Sequence, residues 1–224
     1  MKVRLLPYYK DEIKGIDIEI TGKDATVADY LDALDTYILA GDFIRLRDDT
    51  NHCEGCDTCC GERMPLTSID VFDLKSKLSP ELSMGQFFNR YTYVAVIGRN
   101  IDIMLARDFA DKCILLDKEK KRCTQYEIRP LVCRTYICTL FSPRADRLRL
   151  EVVNTGEDQL VRQWLQCYQN GECVIHEEDN PRINLDDWQS DSWIGKSSYA
   201  KMLLQDILTP KLWSELTKKG ENLV

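Results

Sequence analysis

Apolar and polar positions alternate along residues 14–21, KGIDIEIT, as in a strand with one face in a core. The period then lengthens. Val27, Leu31, Leu34 and Ile38 recur at helical spacing, Thr26 and Asp29 suit an N-cap and its capping-box partner, and Gly41 supplies a stop. A helix is therefore predicted over residues 27–40. Thr67 with Asp70 predicts a second helix ending near Leu78, and Ser79-Pro80 and Ser83 with Gln86 start short helical pieces. Residues 91–97 and 101–105 read as a hairpin about Gly98-Arg99-Asn100, and residues 113–124 as another that turns near 118–121. Pro130 opens a short helix, residues 147–153 alternate like a strand, and residues 158–168 form a helix burying Leu160, Val161, Trp164, Leu165 and Tyr168. Helices over 197–208 and 210–219 follow, the last closed by Gly220. These elements predict an α+β fold, with small antiparallel hairpins and short helices packed around a cysteine-ligated metal site. The predicted organisation is a strand–helix extension (1–50), a cysteine-cluster metal-binding domain (51–175) and a C-terminal helical extension (176–224).

At 224 residues and 44% hydrophobic content, a core of this size needs no covalent staples, so the ten cysteines require another explanation. The segment MKVRLLPYYKDEIKG has neither the apolar stretch nor the small-residue cleavage site of a secretory leader, and no later run is long enough for a membrane helix. A cytoplasmic protein with reduced thiols is expected, disulfides being the competing reading of an even cysteine count. The formal net charge of −7 argues against a nucleic-acid backbone as the main partner. The short basic runs 118–122 and 144–149 read as solvated surface. A protein partner or substrate is left unidentified by the sequence.

Chemistry concentrates in the cysteines. Cys53-Glu-Gly-Cys56-Asp-Thr-Cys59-Cys60-Gly61 repeats the Cys-x2-Cys spacing that lets two sulfurs reach one metal. Three cysteines at that spacing also serve a cubane cluster in bacterial ferredoxins, although Cys60 here replaces the ferredoxin continuation. No second Cys-x2-Cys, as in a zinc ribbon, follows. A hairpin turning symmetrically about residue 118 would set Cys113 and Cys123 opposite each other, converging on one metal or forming a disulfide. Cys133 lies near the start of the Pro130 helix, where partial positive charge lowers a thiol pKa, and Arg129 and Arg134 flank it. Cys138, five residues on, reaches the same site only if the helix ends between them. Cys167 sits on an apolar helix face as a further ligand or a structural cysteine, and Cys173 after Asn170-Gly171 is the weakest of the ten. His52 and His176 read as exposed, and Tyr126 as a packing residue.

The pattern Cys-x2-Cys-x2-Cys-Cys, then Cys-x9-Cys, then Tyr-x2-Arg-Pro-x2-Cys-Arg resembles the YkgJ-like cysteine-cluster family, described as zinc- or iron-chelating. The likeness runs from Cys53 to Arg134, takes in Pro65-Leu66-Thr67, Asp70 and Leu116-Asp117, and extends toward Cys167. It implies a shared metal site at Cys53, Cys56, Cys59, Cys60, Cys113, Cys123 and Cys133. Three functions stay open. An iron–sulfur cluster, such as a 4Fe-4S centre in redox or electron-transfer chemistry, suits the surplus of thiolates and the scarcity of histidine. A structural zinc (Zn2+) module for partner binding is the alternative. The third, implied by relatives that are flagellin lysine N-methylases, is an S-adenosylmethionine-dependent protein lysine methylase, although no glycine-rich nucleotide loop follows a strand. Catalytic and other cofactor-binding residues are not identified.

Overall fold

The computed structural model describes residues 2–40, 56–188 and 191–217. Its regular elements begin with strands β1 (Val3–Lys10) and β2 (Ile13–Ile20), followed by helices α1 (Val27–Ala40), α2 (Ser68–Leu78) and α3 (Met84–Tyr91). Strands β3 (Thr92–Ile97), β4 (Asn100–Leu105), β5 (Leu116–Asp117) and β6 (Arg122–Cys123) come next, then α4 (Leu131–Thr135) and β7 (Leu140–Phe141). Helix α5 (Pro143–Gln169), β8 (Glu177–Asp179), α6 (Leu204–Ile207) and α7 (Pro210–Thr217) complete the chain. The fold is α+β, in two compact units. Met1–Cys53, Arg134–Val152 and Ser198–Val224 make the first, and Glu54–Cys133 with Val153–Ser197 the second.

In the first unit β1 and β2 form an antiparallel hairpin, and β7 joins β2 in parallel. Gly15 makes that third strand possible, since a Cβ there would stand 2.2 Å from the Leu140 carbonyl oxygen. Ser142 Oγ and the Arg144 guanidinium both bond Asp17, which ties β2 to the start of α5. The expected helix over 197–208 is interrupted. Leu203 bridges Thr26 and Leu204 N donates to Ala25 O (2.9 Å), so the extended Met202–Leu203 pair separates a 3-10 turn (Tyr199–Lys201) from α6.

Residues 147–153 are helical, not a strand. Ser142 Oγ accepts from Ala145 N and Pro143 takes the first helical position, so α5 begins before the alternating stretch. Leu148 and Val152, four apart, are buried, while Leu150, the residue that made the alternation, is 48% exposed. The predicted helix over 158–168 is the second half of the same element.

The second unit packs Leu66, Leu74, Phe87, Val96, Trp164 and their neighbours into one core. The two capping boxes predicted in this unit, Thr67–Asp70 and Ser83–Gln86, are formed, as is Thr26–Asp29 in the first, whereas Ser79-Pro80 enters a turn closed by Leu82 N on Ser79 O. The β3–β4 hairpin turns at Gly98, whose φ of +60° suits glycine. The acidic segment after His176 adds β8 parallel to β3. His176 is thereby engaged, its Nδ1 accepting from Val94 N (3.1 Å) and its ring stacked on Tyr93. Gly156 seats α5 against Thr67 and Trp193, where a Cβ would come within 2.6 Å of Thr67 Cγ2. Gly41, Cys53 and His52, as well as Lys219 and Gly220, lie outside the described residues. No helix among the described residues is long and apolar enough to cross a membrane.

Candidate metal centre

The first thiols are carried by a tight turn. Cys60 N donates to Asp57 O and Glu62 N to Cys59 O, both at 3.0 Å, closing a 3-10 helix over Thr58–Gly61. Cys60 also uses its own carbonyl to accept from Cys113 N at 2.9 Å, which ties the 113 segment to the turn. Cys113 is 5% exposed, and Leu115 N donates to its sulfur at 3.4 Å. Cys56, on the approach to the turn, bonds Thr58 Oγ1.

The second hairpin is shorter than expected and shifted in register. Leu116 pairs with Cys123 and Asp117 with Arg122, the turn being made with Lys121 at φ +47°. Cys113 therefore does not face Cys123. It lies before the strand pair, in an isolated bridge with Arg107. A symmetric turn about residue 118 failed because Asp117 Oδ1 accepts from Glu119 N and Lys120 N, winding the chain into an asymmetric loop.

Cys133 is carried by α4. Asp70 reaches across with its second carboxylate oxygen, accepting from Leu131 N at 2.8 Å while the first holds Thr67 N at 2.9 Å. The expected lowering of the Cys133 pKa by a helix start is reversed: burial pushes this thiol well up, and the thiols of Cys59, Cys113 and Cys123 and the Asp70 carboxylate add to the rise. With only five residues, α4 has too little aligned dipole to oppose burial.

Five thiols, Cys59, Cys60, Cys113, Cys123 and Cys133, lie within electrostatic reach of one another in this one region. The neighbouring Cys59 thiol raises the Cys60 pKa, with burial reinforcing it; burial pushes Cys113 up to about 11 and also raises Cys123. Arg129 partly counters the rise at Cys123. Its guanidinium lies 3.8 Å from the centre of the Tyr126 ring, with Arg122 at 4.9 Å from the same ring, so Tyr126 is the packing residue expected. Arg134, by contrast, pairs with Asp35 at 2.5 Å.

The nine described cysteines are all free thiols. Among the described residues, no three His, Cys, Asp or Glu side chains already stand at ion-binding geometry. The donor set nevertheless fits a thiophilic metal: sulfur donors, an apolar surround, and a backbone N–H on Cys113 Sγ that stabilises thiolate. Cys138 is half-buried in the first unit. Cys167 is half-buried and Cys173 buried, and burial raises the pKa of both thiols, that of Cys173 to about 12.

Residues 52–158 match the family model CxxCxxCC, described as "Putative zinc- or iron-chelating domain". This stretch is similar to a CxxCxxCC domain. It takes in every one of the five gathered thiols and Asp70 as well. Over 85 residues the chain is 31% identical to the uncharacterized protein MJ0661 of Methanocaldococcus jannaschii, covering 37% of this chain and 42% of that protein. No solved structure matches the chain.

Within the matched stretch lies a carboxylate whose pKa is raised. Burial pushes Glu157 up to about 8, and Asp102, Asp158 and Asp70 add like charge. A carboxyl whose folded pKa is raised is stabilised in its neutral form. That contribution is complete below the unfolded value, near 4.5, and is lost as pH rises through about 8. Glu157→Gln is therefore expected to leave stability unchanged at pH 4.5 and to raise it by about 1–2 kcal/mol at pH 9, a figure reduced for partial exposure. Urea midpoints at the two pH values measure this; parallel wild-type and variant curves would contradict it.

Proposed function

We propose that the protein is an iron–sulfur protein acting in redox or electron-transfer chemistry, with Cys59, Cys60, Cys113, Cys123 and Cys133 as thiolate ligands alongside Cys53 and Cys56. The observation that carries this reading is the gathering of five thiols from four separate stretches into one apolar region. Five exceeds what one tetrahedral zinc takes, and the one described histidine is occupied elsewhere by Val94 and Tyr93. When bound, such a cluster supplies one-electron chemistry. The chain's own contribution is to exclude water with Leu115, Val132 and their neighbours, to hold α4 through Asp70, and to offset anionic sulfur with Arg129 and Arg122 near Cys123. Structural zinc is the second reading, since the family description names zinc as well as iron.

Anaerobic purification, metal analysis and an absorption spectrum test the choice. Iron with acid-labile sulfide and a visible charge-transfer band that bleaches on reduction are expected. Colourless protein with stoichiometric zinc, under the same handling, would overturn the iron–sulfur reading and leave the zinc one.

A further inference from the structure

Between Ala106 and Cys113 the chain makes a short loop whose base is closed by the Arg107–Cys113 bridge. It is tied from within. Asp108 N donates to Lys112 O (2.8 Å) and Asp111 N to Asp108 O (3.0 Å), with Asp111 at φ +56° completing the turn. Asp108 Oδ1 accepts from Ala110 N and Lys112 N, and Asp111 pairs with Arg107 at 2.8 Å. At the tip stands Phe109, its side chain fully exposed. A lone apolar residue on a surface is ordinary. A ring held out by a backbone that is already ordered is different, because seating it in a partner costs little further entropy.

The charges near this ring are sorted by sign. Residues 107–122 hold six basic and four acidic side chains, in a chain of net charge −7. Three of the four acids are committed locally: Asp108 and Asp111 to the loop, and Asp117 through Oδ1 to Glu119 N and Lys120 N. Lys118, Lys120 and Lys121 are exposed. Lys118 also reaches Asp108 Oδ2 at 2.6 Å, which fastens the lysine turn to the Phe109 loop. Both adjoin the metal centre. Cys113, at the base of the loop, donates through N to Cys60 O, and a Cβ on Gly61 would come within 3.3 Å of Lys112 Nζ.

We propose that Phe109 and the exposed lysines of residues 118–121 form a docking surface for an acidic electron-carrier protein. Phe109 enters an apolar pocket of the partner as the anchor, and the lysines meet its carboxylates around the rim. Charge selects this occupant. The chain as a whole repels an acidic protein, so attraction is confined to the place where its cations are gathered, and that place lies beside the thiols. A second copy of the chain is disfavoured, because a two-fold contact through this face would set lysines against lysines. That the partner carries electrons rests on the iron–sulfur reading; the docking surface itself does not.

The test titrates the full-length, metal-loaded protein into a dye-labelled acidic [2Fe–2S] ferredoxin and reads binding as fluorescence anisotropy. Saturable binding is expected in dilute buffer, weakening as ionic strength rises to about 0.15 M. Phe109→Ala is expected to weaken it at least about tenfold with the salt dependence kept. Lys120→Glu combined with Lys121→Glu is expected to weaken it and to flatten the salt dependence. Absence of saturable binding, or binding indifferent to Phe109→Ala, would overturn the proposal. So would equal binding of a single-stranded oligonucleotide, which would make the surface a general polyanion site, or Phe109-dependent binding of a labelled copy of the chain itself. Zinc in place of iron would remove the electron-carrier role and leave the docking surface, whose binding is read apart from metal content.

Discussion

Cys133→Ser is expected to reduce metal affinity by more than about a hundredfold, on the order of 3 kcal/mol. The same substitution is expected to cost the loaded protein a comparable amount of stability, because metal-binding energy is also folding energy in a site absent from the unfolded chain. Cys133 interacts with the thiols of three other stretches, so its sulfur is central to the group. The effect is read by competition with a chromophoric chelator, and by comparing the thermal midpoint with and without metal. Cys173→Ser is the control, since Cys173 lies outside the matched residues 52–158 and is not among the groups acting on Cys133. Unaltered metal content and midpoint in Cys133→Ser would remove Cys133 from the ligand set.

Asp70→Ala is expected to destabilise even the metal-free protein by about 3–5 kcal/mol. The carboxylate is 2% exposed and accepts from Thr67 N and Leu131 N, so its removal strands two buried donors at about 1–3 kcal/mol each, the first of them half of the capping box. The exposed box of Ser83 and Gln86 gives the scale for capping alone: Gln86→Ala is expected to cost less than about 1 kcal/mol. Urea denaturation in the presence of a chelator separates the two. If Asp70→Ala cost no more than Gln86→Ala, the bond to Leu131 would contribute nothing to holding α4.

The three capping boxes, Thr26–Asp29, Thr67–Asp70 and Ser83–Gln86, and the Gly98 hairpin were legible because each is settled by a few neighbouring side chains. The packing residue Tyr126 was legible for the same reason. What the pattern hid depended on distant partners. Alternation over residues 147–153 imitated a strand, and only the Ser142–Pro143 start, with burial of Leu148 and Val152, shows the helical face. The helix expected over 197–208 fails at Leu203, which bridges Thr26. Strands β1, β7 and β8 gave no strong local signal, since β7 is two residues long and β8 is acidic throughout. At the site, spacing brought out the right thiols, but the Cys113–Cys123 register was set by Asp117 and the Cys133 environment by Asp70, neither visible from spacing.

The three-segment construction of the first unit also imposes an order of events on synthesis. Its hairpin is complete within the first twenty residues, yet Asp17 waits for Ser142, 125 residues later. At roughly 5–20 residues per second a ribosome takes on the order of ten seconds over that interval, whereas a hairpin zips in about 1–10 μs. For those seconds β2 presents an unpaired edge, the kind of template that recruits a neighbouring chain. Gly15, at the one place where the incoming strand presses closest, leaves that edge without a side chain to shield it. All residues from Cys53 to Cys133 emerge before the third strand, so the nascent chain carries its thiols into solution while its first sheet is still open.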